Sequence, residues 1–274
     1  MATPAAAHAA TPVTTLPTGA RGALIVIEYW WIWYRRHWRA SAVSSVLQPL
    51  LMLLAFGLAF GSLVRPSETT GNVEYLVFLA PGLLAMTAVQ IAAAESTYPV
   101  HACFKWHRAY FAMTAGPLGP AQLVFGQLGW IVLRMFFSCA VYLAVIALFG
   151  GTRGLGSVAA LVFATLCGLA VAAPLLAFTA SVHDEGSKFG VVLRFVILPM
   201  TLFAGTFFPV SQLPAAVRPL AWISPLWHGT ELARGATLGT LRPLAATGHL
   251  AYLLGLAAIG VAIAMWRYRV RLYV

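Results

Sequence analysis

Charge is what this sequence has least of. Asp, Glu, Lys and Arg make up 9% of its 274 residues, and only seven are acidic, whereas about a quarter of a soluble domain is charged. With 61% hydrophobic residues the chain has too little polar side chain to cover a water-facing surface. A soluble domain is excluded, and an integral membrane protein is expected. Cysteine is scarce too: Cys103, Cys139 and Cys167 stand far apart and show no ligand spacing, which argues against a disulfide or metal framework. The sequence contains no G-x-x-x-x-G-K-[ST] phosphate loop, H-E-x-x-H zinc helix or G-x-S-x-G nucleophile elbow. No catalytic residue or resident cofactor is therefore assigned, and any hydrolysis of ATP falls to another chain.

What the sequence does have is long apolar runs. Six of them, approximately 44–64, 75–94, 123–149, 157–181, 189–208 and 244–266, are each long enough to cross ~30 Å of hydrocarbon as a helix. None alternates with the period of two that a membrane barrel needs. The expected fold is all-α, with six transmembrane helices in one domain over 21–274. Residues 1–20 carry no side-chain charge and no sustained apolar core, so they read as a disordered tail rather than a signal peptide. In 23–39, "ALIVIEYWWIWYRRHWR", a turn of 100° per residue puts Glu28, Arg35 and Arg39 on one arc, opposite Ile27, Trp30, Tyr34 and Trp38. This predicts an amphipathic helix in the membrane interface, the alternative being an ordinary aromatic flank of the first span. Small residues four apart, Gly57 and Gly61 in the first run and Ala160, Ala164, Gly168 and Ala172 in the fourth, allow close helix contact within the chain or between copies.

The formal charge of +10 is spread along the flanks of these runs rather than gathered in a basic domain, which excludes a nucleic-acid partner and makes Lys and Arg topology signals. With the N-terminus inside, Arg21, Arg35, Arg36, Arg39, Lys105, Arg108, Lys188, Arg267, Arg269 and Arg271 fall on the cytoplasmic side. Arg65, Arg153, Arg218, Arg234 and Arg242 fall outside. The bias places both termini in the cytoplasm. Arg134 and Arg194 lie within runs, where a charge is costly. Arg134 reads as a snorkelling or internally partnered side chain, or as part of a substrate path, while Glu95 at the end of the second run reads as a structural partner. These runs hold no series of carboxylates or histidines able to relay protons, which argues against a proton-driven pump. The fifth run is rich in bulky apolar groups, Phe189, Phe195, Met200, Phe203, Phe207 and Phe208, and reads as lipid contact or packing or as a greasy path for a lipid-like substrate. Asp184 and Glu185, in "HDEGSK", suit a solvated turn better than a catalytic pair.

Two connections are longer than turns. One, "STYPVHACFKWHRAYFAMTAGPLGPAQ", carries a basic, aromatic cluster. The other runs from Phe203 to Gly235, broken by Pro209, Pro214, Pro219 and Pro225. That second stretch resembles the segment before the last span of type-2 ABC exporter permeases, in particular the nodulation-factor and daunorubicin-type export branch. The likeness lies in Phe208-Pro209-Val210, Leu213-Pro214, Pro225-Leu226, and Glu231 with Arg234-Gly235, and it extends to Phe78–Gln90 with its Pro81-Gly82 pair. The aromatic loop with Pro117 departs most from the pattern.

The resemblance implies a permease of the bacterial plasma membrane. It would form a homodimer, pair with two copies of a separate cytoplasmic ATPase that binds ATP and Mg, and export an amphiphilic substrate, whether lipo-oligosaccharide, polysaccharide or hydrophobic drug. It implies short re-entrant helices around Pro209, Pro214, Pro225, Glu231 and Arg234, and an ATPase-coupling loop at His101, Lys105, Trp106, His107, Arg108 and Tyr110. Phe56, Phe60, Phe195, Met200, Phe203 and Phe207 are taken to line the path. The alternatives are a stand-alone secondary carrier or channel, or a membrane-embedded transferase using Glu68 with Glu74 or Asp184 with Glu185.

Overall fold

The computed structural model describes residues 19–52, 54–55, 73–151 and 154–273, and among these every regular element is helical. Four helices are long and apolar enough to cross a membrane. They are α2 (Tyr75–Ser96), α5 (Pro120–Leu148), α6 (Gly156–Ser181) and α11 (Pro243–Tyr273), and they match the second, third, fourth and sixth apolar runs. Proline marks where helices begin: Pro120, Pro225 and Pro243 open α5, α10 (Pro225–Leu238) and α11. The first turn has no partner for the missing N–H, and the fixed φ suits a helix.

The centre of the bundle is α2, nearly all of whose residues are buried. It lies against α5, α6 and α10, while α6 also packs along α11. Lipid and protein interior are equally apolar, so close approach at small residues drives this packing. The four-spaced row on α6 serves that purpose, since Ala160, Ala164, Gly168 and Ala172 are all buried. A Cβ at Gly168 would stand 3.1 Å from the Ala88 carbonyl of α2, so this row is intrachain packing. Gly57 and Gly61 lie outside the described residues.

The first helix differs from expectation. α1 (Gly19–Met52) is continuous across the anticipated boundary near Arg39, because no residue between Gly22 and Pro49 breaks a helix. It runs beside α5 in the same direction. Gly22 meets Gln122, Val26 meets Gly126 and Ile27 meets Gly129, and Trp31 and Tyr34 reach Trp130. The apolar face read from the sequence is largely the face that packs, with Trp30 buried and Glu28, Arg35 and Arg36 exposed. Over 22–34 α1 therefore lies along α5. Of the expected tail, 1–20, residues 1–18 lie outside the described residues and 19–20 open α1, and of the first run 53 and 56–64 lie outside them.

The fifth run is also modified. Helix extends over α7 (Ser187–Val192), a π-turn at Leu193–Ile197 and α8 (Leu198–Phe203). Pro199 has no N–H to donate back to Phe195, and the ladder adjusts just before it by the wider bond from Leu198 N–H to Leu193 O. At 1.5 Å per residue the composite rod is about 26 Å long, and it ends in bends from Ala204 to Phe208.

Candidate functional site

One end of the bundle is basic. There α2 passes into α3 (Tyr98–Lys105) and α4 (Ala109–Ala115). The start of α5, the α6–α7 turn and the last turn of α11 gather at the same end. The link between α3 and α4 turns at Arg108, the sole non-glycine residue with positive φ (50°) among those described. His101 is buried and its Nε2 donates to the Asp184 carbonyl at 3.0 Å. Lys105 Nζ reaches Glu185 Oε1 at 2.5 Å, so the elbow is bolted to the 183–187 turn. That turn is held by Gly186 N–H donating to Asp184 Oδ1 at 2.9 Å, with Lys188 paired to Asp184 at 3.2 Å. The Gly186 amide holds the Asp184 carboxyl below its ordinary range, and the bond from Lys105 does the same for Glu185. Tyr110 is buried, donating its hydroxyl to Gln127 Oε1 of α5 at 2.8 Å, beside Phe104 and Tyr268.

The structure thus divides the predicted coupling set. His101 and Tyr110 are internal and transmit contact to the α6–α7 turn and α5, Lys105 is tied to Glu185, and Trp106, His107 and Arg108 form the exposed tip. Arg271, which carries no motif signal, closes this end by donating to the Thr179 and Ala180 carbonyls at 3.0 and 3.1 Å. These carbonyls belong to the last turn of α6, where a cation is favoured; that of Thr179 also accepts from the Val182 N–H at 3.2 Å.

At the opposite end the chain between α8 and α11 goes out, returns and goes out again. Phe207 sits at the tip, its carbonyl accepting from Tyr75 at the first residue of α2 (2.9 Å). A 3-10 turn at Val210–Gln212 and α9 (Arg218–Ile223) then lead back to Pro225, whose carbonyl accepts from the Cys167 thiol at 3.3 Å. Cys167 lies eleven residues into α6, about 16 Å from its start. From there α10 climbs beside α6, Gly229 facing Cys167 and Ala236 reaching Gly156.

Arg234 fastens this excursion. Though counted from the sequence as an external loop cation, it is buried at 8% exposure. It donates to the carbonyls of Phe78 (3.3 Å), Gly205 (2.9 Å) and Thr206 (3.4 Å), and it meets Glu231 at 3.4 Å. Gly82 makes room, since a Cβ there would stand 3.0 Å from the Thr206 carbonyl. The paired motifs Pro81-Gly82 and Glu231-x-x-Arg234 are therefore two sides of one contact. Neighbouring His228 donates from Nε2 to the Trp222 carbonyl (3.0 Å) and pairs with His249 through Nδ1 at 2.8 Å, a pairing with no sequence signal.

Between the π-turn with α8 and the returning α9 lies an apolar cavity of about 270 Å³. Phe195, Met200 and Phe203 line it with Leu220, Ile223 and Pro225. Three predicted path residues therefore meet. Phe207 is instead at the tip, and Phe56 and Phe60 lie outside the described residues. Within the bundle Arg134 pairs with Glu95, which also accepts from Trp130 Nε1 at 3.3 Å. The partnered reading of Arg134 is the observed one.

A polytopic helical bundle with a bolted elbow at one end and a folded-back segment at the other has the build of a membrane transport subunit. Comparison with known proteins makes this specific: residues 23–238 match the family described as ABC-2 type transporter, and the chain belongs to that family. It is 31% identical to nodulation protein J of Rhizobium leguminosarum bv. viciae over 233 residues, covering 83% of this chain and 86% of the relative. It is 28% identical to nodulation protein J of Rhizobium meliloti (strain 1021), covering 76% and 80%. It is also 24% identical to the inner membrane transport permease YadH of Escherichia coli (strain K12), covering 75% and 78%.

Proposed function

We propose that the chain is the membrane-embedded half of an ATP-driven exporter. It works as a homodimer with two copies of a separate cytoplasmic ATPase that binds ATP and Mg, and it moves an amphiphilic substrate outward from the cytoplasm or inner leaflet of a bacterial plasma membrane. The observation that carries this reading is the elbow at the basic end. Its exposed tip, Trp106 to Arg108, is rigidly joined through His101, Lys105 and Tyr110 to the α6–α7 turn and α5. A push on the tip therefore reaches the helices instead of being absorbed by a soft loop.

The basic end is cytoplasmic on the Lys and Arg bias, and the start of α1 and the last turn of α11 both lie there. The composite α7–α8 rod and the first apolar run supply the fifth and first spans of a six-span chain. Residues 204–238 form the re-entrant segment. Its return to a depth of about 16 Å along α6 supports this, and α2, α6 and α10 cover the non-helical backbone that lipid would not tolerate. The apolar cavity at Phe195, Met200 and Phe203 is the start of a path for an acyl or similarly greasy moiety. The substrate classes are lipid-linked or lipo-oligosaccharides, polysaccharides and hydrophobic drugs.

The test is the double variant Lys105→Glu with Arg108→Glu in the reconstituted complex. It abolishes substrate-stimulated ATP hydrolysis while the membrane subunit still folds, its stability lowered by no more than the small contribution of the partly exposed Lys105–Glu185 pair. Retained stimulation in a folded double variant refutes the coupling assignment.

A further inference from the structure

At the basic end, beside the elbow, is a cavity of about 730 Å³. Four cations line it: Lys105 and Arg108 from the elbow, and Arg267 and Arg271 from the last turns of α11. Lys105 is neutralised by Glu185. Among the described residues no carboxylate lies within ion-pair distance of Arg108, Arg267 or Arg271. Arg271 directs one nitrogen to two carbonyls and its guanidinium carbon lies 4.2 Å from the centre of the Phe104 ring, which fixes its position without cancelling its charge. Three uncompensated guanidinium groups around one cavity repel each other, and an anion with several oxygen acceptors relieves that repulsion.

The rest of the lining is of two kinds. Ser181 and His183 add polar groups beside the cations, whereas Phe104 and Ala180 form an apolar wall, and Phe111 and Val270, 38% and 41% exposed, stand at the rim. A ligand matching both parts has a phosphate at one end and hydrocarbon at the other. We infer that this cavity binds the phosphate headgroup of an acidic phospholipid, held by Arg108, Arg267 and Arg271 with its glycerol and upper acyl carbons against Phe111 and Val270. The position fits, because basic pockets where spanning helices end select anionic headgroups. The inference does not depend on the ATPase partner.

The experiment uses the full chain in neutral detergent, stripped of lipid, and measures binding and unfolding temperature with three probes. These are dioctanoyl phosphatidylglycerol, dioctanoyl phosphatidylcholine and inorganic phosphate. Phosphatidylglycerol is expected to bind at least about tenfold more tightly than phosphatidylcholine and to raise the unfolding temperature. Arg267→Gln is expected to weaken it by about tenfold, the worth of one charge-assisted contact. Arg269→Gln removes the same charge from the same helix but does not line the cavity, and it is expected to leave binding within about twofold, the residual of long-range charge alone. Binding of inorganic phosphate as tight as that of phosphatidylglycerol overturns the lipid assignment in favour of a free-anion site. Equal losses in Arg267→Gln and Arg269→Gln, or no preference between the two lipids, overturn the site itself.

Discussion

The guanidinium carbon of Arg234 lies 3.9 Å from the centre of the Phe78 ring, and Nε of the same side chain donates to the Phe78 carbonyl. One residue of α10 therefore grips both the side chain and the backbone of one residue of α2, across 156 positions of sequence. The contact holds the folded-back segment at its depth. Replacing Arg234 by Met leaves three carbonyls without this donor and removes the stacked plane, at a cost of about 2–4 kcal/mol. Arg234→Lys recovers only part of it, since an ammonium lacks the planar fork. Thermal unfolding in detergent should rank the proteins wild type, Lys, Met.

Gly126 carries the contact between α5 and α1. A Cβ there would stand 2.5 Å from Val26 Cβ and 2.7 Å from the Ala23 carbonyl. Gly126→Val should destabilise by about 1–3 kcal/mol, the usual cost of overpacking. Adding Val26→Gly, which removes the Cβ that is met, should restore part of it, a coupling that a double-mutant cycle measures.

Glu95 and Arg134 form an ion pair with side-chain exposures of 9% and 14%. Glu95→Gln or Arg134→Gln alone strands a charge and should cost about 3–5 kcal/mol. The double variant should cost less than the sum, because no lone charge remains. Purely additive losses would mean that the pair does not act as a unit.

His228 ties α9 to α11. Its Nε2–H donates to the Trp222 carbonyl, so Nδ1 is the acceptor for His249. Tyr252 stacks on the ring at 3.9 Å and Trp227 packs against it. His228→Ala removes both bonds and the stacked ring and should cost about 1–3 kcal/mol, read as a lower unfolding temperature in detergent.

Much of this architecture was readable before any coordinates, for a physical reason: α2, α5, α6 and α11 are specified by composition over long windows, and composition survives any packing. The π-turn in the fifth run was not read from the sequence, since whether a proline such as Pro199 kinks, ends or re-registers a helix depends on its neighbours. Side-chain depth was not readable. Arg234 looked like an external cation because it lies between two apolar runs, and its burial appears only when Gly82 and Gly205 are brought against it. His101 and Tyr110 sit beside Lys105 and Arg108 in a short basic stretch, where periodicity over so few residues does not reveal which face meets the chain's own bundle. The continuity of α1 past Arg39 was not readable, because an arginine cluster marks an interface and not a helix end, and the residues α1 packs on, Gly126 and Gly129, lie on another helix.

The central claim, that this subunit works with a separate ATPase, is tested most directly by tagging the C-terminus, purifying the chain from its native membrane in mild detergent and quantifying what comes with it. The account predicts a nucleotide-binding ATPase at about one copy per copy of this chain, lost when Lys105 and Arg108 are both reversed in charge. A homo-oligomer with no ATPase, even after crosslinking in the membrane, would contradict it.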